Sequence, residues 1–173
     1  DLKTATYAPS VKASLESLDE AKKGGLRALV KHPDKGGTFA WAMASQGLVY
    51  AASLVPEIAD TVYDVDEAMK DGYAWELGPF ETLDKMGPKW FAEQLAAAKI
   101  AVPPLLKLAA EKGSFYRVEN GKLQYLTTSG SYADVVRPAG VLKLADIKRA
   151  GKPVIKNPSA KVWDIGDGVL CFE

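Results

Sequence analysis

The sequence is poorest in the side chains that most often carry chemistry. Of its 173 residues one is cysteine, Cys171, and one is histidine, His32. A single cysteine excludes an internal disulfide framework and a cysteine-built zinc site, and it fits a reducing, cytoplasmic setting. A single histidine means that any Ser-His-Asp triad or histidine-based metal centre within the chain would have to use His32. That residue falls in a proline- and glycine-rich loop, where a surface role is expected. Excess charge of either sign is missing too. The 22 lysines and arginines balance 22 aspartates and glutamates, so the basic stripe that marks a nucleic-acid partner is absent and none is expected. No apolar run approaches ~20 residues and no signal-peptide pattern opens the chain, so no membrane span is expected. No G-x-G-x-x-G follows a predicted strand and no P-loop pattern occurs, so two signs of a nucleotide cradle are lacking.

What is present is a helical pattern with strong punctuation. Residues 1–16, interrupted by Pro9, read as a linker or arm. Ser17 with Glu20 has the spacing of a capping box and opens a helix that Gly24-Gly25 weakens. His32-Pro33-Asp34-Lys35-Gly36-Gly37 is a break. From Thr38 to Val55 there is no charged residue; Phe39, Trp41, Met43, Leu48, Val49 and Tyr50 make this stretch apolar on most sides, which predicts a buried central helix. Pro56 interrupts it, and residues 57–62 are expected to continue its path. Next comes Asp64-Val65-Asp66-Glu67-Ala68-Met69-Lys70. Asp64 is a candidate N-cap, Asp66 and Glu67 suit a first turn, and Gly72 is a candidate left-handed stop. After Tyr73 and Trp75, Gly78-Pro79 opens a two-turn helix with Glu81 in its first turn and Gly87 at its end. Pro88 opens a helix through Trp90, Phe91 and Leu95, and Pro103-Pro104 separates it from another ending at Gly113.

Beyond residue 113 the period changes. Phe115–Val118, Asn120-Gly121 and Leu123–Leu126 form a hairpin pattern. Leu142–Ala150 is a short helix stopped by Gly151. Lys161–Ile165, Gly166-Asp167-Gly168 and Val169–Glu173 form a second hairpin pattern. The chain starts without methionine and stops on an apolar, strand-like run, so a fragment of a larger protein is expected. The fold class is mainly α, a multi-helix domain with one or two small hairpins. Its expected divisions are an arm at 1–16, a helical domain at 17–113, a hairpin-and-helix extension at 114–159, and the start of a further domain at 160–173.

Candidate chemistry is sparse. Glu57 and Asp60 lie three apart on the expected helix, a spacing that allows paired-carboxylate acid–base work only if one of them is desolvated. Leu29–Gly37 resembles the His32-Pro33-Asp34 loop of J-domain co-chaperones, which lies between antiparallel helices and stimulates a heat-shock chaperone ATPase. Here, however, Gly24-Gly25 interrupts the preceding helix, and the following one lacks that family's charged surface. A helical interaction module unrelated to either family is a further alternative.

A longer resemblance carries more. Asp64-Val65-Asp66-Glu67-Ala68-Met69-Lys70, Gly72, and Gly78-Pro79-Phe80-Glu81-Thr82-Leu83-Asp84 with Gly87 closely resemble the C-terminal helical domain of 3-hydroxyacyl-CoA dehydrogenases. In that family the run follows a long helix interrupted by proline, as Thr38–Val62 with Pro56 does. Residues 17–37 and 88–126 are similar to the second copy of this domain in long bacterial members. Residues 160–173 resemble the opening hairpin of the enoyl-CoA hydratase (crotonase) domain that continues those members. The resemblance implies a 6-phosphogluconate dehydrogenase C-terminal-like fold within an NAD-dependent enzyme of fatty-acid β-oxidation. It also implies that the catalytic residues and NAD site belong to a Rossmann domain, which together with a first helical repeat lies outside this chain. The family places a substrate-contacting asparagine early in the long helix of its catalytic copy, and Thr38–Val62 contains none. No catalytic, cofactor-binding or metal-ligating residue is therefore assigned, and this fragment alone is expected to be inactive and to bind no cofactor. Trp41, Gly72, Trp75, Gly78, Pro79, Phe80, Glu81 and Asp84 are assigned to a motif and packing interface. It would serve a homodimer or the first repeat, with acyl-CoA as the substrate of the parent.

Overall fold

The computed structural model describes residues 3–7 and 14–173. Among the described residues there are seven helices, which cover about half of the chain, and two small antiparallel sheets. The fold is mainly α. By its internal contacts the chain divides into two compact units, residues 1–46 and 47–173. Pro9 and the rest of residues 8–13 of the expected arm lie outside the described residues.

In the first unit, α1 (Glu16–Lys31) is broken at Gly25, whose φ of 68° is non-helical, as the glycine pair predicts. The capping box expected at Ser17 does not form. The N-cap is Leu15, which has no side chain able to cap. The Asp34 carboxylate does the work instead: Oδ2 accepts the Ser17 N–H at 3.0 Å. Oδ1 accepts the Gly37 N–H at 2.8 Å, capping α2 (Lys35–Leu54). A side chain at Gly37 would place its Cβ 2.0 Å from the His32 carbonyl oxygen, so the tight connection requires glycine there.

The expectation of a buried α2 is corrected. Ser45, Leu48, Ala51 and Ala52 are buried, but Phe39, Met43 and Tyr50 are 68, 59 and 68 % exposed. Positions 39, 43 and 50 share one stripe of the helix. Absence of charge reveals what a surface is made of; it does not supply the layer that would cover it.

The helix also ends earlier than expected. It stops at Leu54, the Val55-Pro56 peptide is cis, and helix resumes only at α3 (Val62–Tyr73). Glu57 and Asp60 therefore lie in a connector, both exposed. The cap of α3 is Thr61 rather than Asp64: Thr61 Oγ1 accepts the Asp64 N–H at 3.1 Å. Nor is Gly72 the stop. It sits in the last turn, and Ala74 takes the left-handed conformation at φ 54°.

Three helices then open on proline, α4 (Pro79–Met86), α5 (Pro88–Ala97) and α6 (Pro104–Lys112). A proline at the first helical position gives up an N–H that would have had no partner. Their inward faces make the core of the second unit: Phe80, Leu83, Met86, Phe91, Leu95 and Leu106 are at most 1 % exposed. Phe80 meets Phe115 edge-on, with ring centroids 4.9 Å apart.

The first hairpin, β1 (Tyr116–Glu119) and β2 (Lys122–Leu126), turns at Asn120-Gly121, both with positive φ. That is the combination a two-residue hairpin of this hand demands. A third strand, β3 (Tyr132–Asp134), pairs with β2. After α7 (Leu144–Ala150) comes a second sheet, β4 (Ile155–Lys156), β5 (Lys161–Gly166) and β6 (Val169–Phe172), in that spatial order. Strands β3 and β4 were not foreseen, because two or three residues are too few to show alternation. Trp163 is buried on one face of this sheet. On the other, Ile155, Val162 and Phe172 form one cross-strand row.

Phe115→Ala should cost about 3–5 kcal/mol of unfolding free energy by urea titration, as expected for emptying a core aromatic position. Phe39→Ala should stay within about 0.5 kcal/mol, the range of an exposed position. Equal losses would mean that α2 is as covered as the core.

Candidate functional site

The motif residues converge on one carboxylate, Asp66. It lies on α3 with no solvent exposure. Its Oδ1 accepts the Phe80 N–H at 2.8 Å, and its Oδ2 accepts the Glu81 N–H at 3.0 Å. These are the second and third helical residues of α4, whose N–H groups an N-cap side chain ordinarily satisfies. The N-cap of α4 is Gly78, which has no side chain to offer. Asp66 fills that place from another helix: a Cβ at Gly78 would lie 2.3 Å from the Asp66 carboxyl carbon. Glu81 completes the arrangement by accepting the Gly78 N–H at 2.9 Å, the reciprocal half of a capping box.

The same carboxylate reaches the sheet. Tyr116 donates its phenol hydrogen to Asp66 Oδ2 at 2.9 Å. Asp84, on α4, accepts the Phe115 and Tyr116 N–H groups at 2.6 and 2.8 Å. Two aspartates thus tie α3, the start of α4 and the start of β1 together. Burial pushes the Asp66 carboxyl up to about 7, against the pull of the two amides and the phenol toward the ionised form. Burial likewise pushes Asp84 up to about 6. Burial and the Asp66 carboxylate raise the Tyr116 phenol well above its usual range.

A charged seam runs beside this hub. Tyr63, Glu67 and Lys70 lie four and three residues apart, on one face of α3. Lys70 bridges Glu67 and Glu81 at 2.7 and 2.8 Å. Glu67 also pairs with Lys143, and Tyr63 accepts from Arg137. Arg137 grips Asp146 with two hydrogen bonds of 2.7 and 3.0 Å. The segment around α7 is thereby fastened to α3.

Chemically, the hub is already committed. Each Asp66 and Asp84 oxygen accepts at least one backbone N–H, so proton transfer to a substrate would first have to break a structural contact. Among the described residues no group of three or more His, Cys, Asp or Glu side chains is placed to hold a metal. A dinucleotide cradle needs a strand, a glycine-rich turn and a helix N-terminus within a parallel βαβ unit. The strand pairs among the described residues are antiparallel, so they form no cradle of that kind. His32 accepts the Asp34 N–H on Nδ1 at 3.3 Å and serves the α1–α2 connection.

Of the residues assigned to a motif interface, Gly78, Pro79, Phe80, Glu81 and Asp84 come together around Asp66. Gly78, Pro79 and Phe80 are buried within the chain itself. Gly72 and Trp75 are exposed on the α3–α4 side, and Trp41 is half-buried on α2. Sequence reasoning missed the central residue. Asp66 read as an ordinary first-turn acid because its partners lie 14, 15 and 50 positions away. The available signal was Gly78 at an N-cap followed by Glu81, a capping box with one half lacking.

The chain is homologous over 98 % of its length to a Bacillus subtilis (strain 168) protein named "Probable 3-hydroxyacyl-CoA dehydrogenase", with 36 % identity over 177 residues. It spans 22 % of that protein. Shorter stretches match two proteins named "Putative fatty acid oxidation complex trifunctional enzyme". In Rickettsia felis (strain ATCC VR-1525 / URRWXCal2) the identity is 63 % over 35 residues, 20 % of this chain and 5 % of that protein. In Rickettsia prowazekii (strain Madrid E) it is 43 % over 47 residues, 27 % of this chain and 6 % of that protein. No family model matches the chain, and no solved structure does.

Two outcomes test the hub. Gly78→Ala should destabilise by about 1–3 kcal/mol, the cost of forcing extra volume into a packed site. The pH dependence follows from the raised carboxyls. Between about pH 4 and 7 the folded chain holds protons that the unfolded chain has released, so stability falls as pH rises. The slope is about 1.4 kcal/mol per pH unit for each extra proton. Asp66→Asn should lower stability by about 1–3 kcal/mol through a lost amide acceptor, and should remove the slope between about pH 6 and 7 while leaving the Asp84 share below about pH 6. Urea unfolding across the window measures both, and an unchanged slope in the variant would contradict the assignment.

Proposed function

We propose that this chain is the non-catalytic second copy of the C-terminal helical domain in an NAD-dependent 3-hydroxyacyl-CoA dehydrogenase of fatty-acid β-oxidation. Residues 17–113 form the helical domain, 114–159 the extension, and 160–173 open an enoyl-CoA hydratase (crotonase) domain. The chain acts as a substrate-side scaffold. NAD and the acyl-CoA bind to a Rossmann domain and first helical repeat elsewhere in the parent, and the cytoplasmic setting expected above goes with that role.

The observation that carries this reading is the chain-long similarity to a dehydrogenase together with a motif whose carboxylates hold backbone rather than face a substrate. Exposed apolar side chains favour the scaffold role. Phe39, Met43 and Tyr50 on α2, with Tyr73 at the end of α3 and Trp75 after it, are surfaces that a second copy or the first repeat would cover. The cross-strand row Ile155–Val162–Phe172 supports a continuing β domain in the same way, since one face of that sheet has no layer upon it.

The test uses the 173-residue chain with NAD and a medium-chain 3-hydroxyacyl-CoA. The expected result is no NADH formation and no calorimetric NAD binding, with both restored in the full-length parent. Turnover by the isolated chain would refute the scaffold reading, and a parent without dehydrogenase activity would refute the assignment to this enzyme class.

A further inference from the structure

The segment between β3 and α7 is gripped at two places and free between them. Near its start, Arg137 donates to the Tyr63 hydroxyl and lies over that ring, 5.0 Å from the centroid. At its end, Lys143 pairs with Glu67. Tyr63 and Glu67 are one turn apart on α3, so both anchors hold to the same helix face. The Arg137 and Glu67 side chains are only 17 and 18 % exposed, and covered pairs hold more firmly than those in open water.

Between the anchors the chain is apolar and turned to water. Residues 138–142, Pro138-Ala139-Gly140-Val141-Leu142, are all exposed. They form a turn in which the Val141 N–H donates to the Pro138 carbonyl at 3.1 Å, with Gly140 at φ 80°. Val136, Val141 and Leu142 are 84, 45 and 55 % exposed. All three line an open cleft of about 570 Å³, whose other walls include Leu123 on β2 and Ile147 on α7. Among the described residues, none from α3 lines that cleft. The anchors therefore draw the segment toward a helix outside the cleft, while an apolar surface faces its side chains across the opening. Burying those side chains is favourable, and the polar contacts to α3 oppose it.

Release from α3 would leave no carboxylate without a partner. Glu67 keeps Lys70 at 2.7 Å, and Arg137 keeps its two bonds to Asp146 on α7 at 2.7 and 3.0 Å. We propose that residues 136–142 are a strap held open by α3. When the contacts to Tyr63 and Glu67 are broken, the strap folds over the cleft, with Arg137–Asp146 as its pivot, and lays Val141 and Leu142 on Leu123 and Ile147. Such a strap operates whether or not the chain serves a dehydrogenase.

Hydroxyl-radical footprinting of the 173-residue chain, read by mass spectrometry, measures the exposure of the strap directly. Tyr63→Phe with Glu67→Gln frees the α3 side and keeps the pivot. Labelling of Val141 and Leu142 should then fall at least about twofold, as half-exposed side chains come into contact with others. Labelling of the buried Phe80 and Phe115 should stay at its wild-type level. Adding Leu142→Asp to this variant should return Val141 labelling to the wild-type level, because the apolar contact is lost. Lys143→Gln releases one anchor only, leaves Glu67 with Lys70, and should give a smaller fall in the same direction. Strap labelling that stays at the wild-type level or rises in both released variants would overturn the proposal, as would a fall that Leu142→Asp does not reverse.

Discussion

The structure depends on carboxylates lent by one element to the backbone of another. Every helix begins with N–H groups that lack partners inside the helix, and burial makes each of them costly to leave unsatisfied. Most helices meet this need with their own N-cap side chain. Among the described residues five helices have no capping side chain of their own, and two of them, α1 after Leu15 and α4 after Gly78, borrow a carboxylate from elsewhere. Asp34 serves the first and Asp66 the second, each across a chain reversal. Asp84 extends the device to the first strand of a sheet. A borrowed cap stabilises a helix start and at the same time fixes where that start lies, because the lender is rooted in a different element.

This division of labour bears on function. Acid–base catalysis asks a carboxylate to give or accept a proton with substrate at hand. Asp66 and Asp84 instead have every oxygen turned toward backbone, and the Tyr116 phenol is held against Asp66. Their raised proton affinity has a structural origin, the removal of a charge from water, and is no sign of reactivity by itself. A domain organised in this way is suited to holding surfaces in place. The apolar stripe on α2 and the uncovered face of the second sheet are the surfaces it presents.

Much of the fold was legible because its punctuation is local. Proline at helix starts, Gly87 and Gly113 at helix ends, and Asn120-Gly121 in a hairpin each act within a few residues of where they stand. Some readings that failed needed distant partners, and others chose the wrong residue among close neighbours. Ser17 and Asp64 have the local pattern of caps, whereas Asp34 serves the first helix from across a reversal and Thr61, three residues before Asp64, caps the other. Gly72 looked like a stop because glycine enters the left-handed region freely, yet Ala74 takes it. The charge-free run at 38–55 correctly marked apolar surface and wrongly implied cover. Asp66 was placed in the right motif with the wrong task, since nothing adjacent in sequence shows that α4 needs its carboxylate.

The central claim is that the amides of Phe80, Glu81, Phe115 and Tyr116 are closed by two aspartates as one cooperative unit. Native-state hydrogen exchange reads this directly, because amides that open only with the core share its opening free energy. The account predicts that these four amides exchange among the slowest in the second unit, with a common opening free energy close to that of Leu83 and Leu95. Exchange of Phe80 and Glu81 at the rate of a frayed helix end, while Leu83 and Leu95 stay protected, would contradict it.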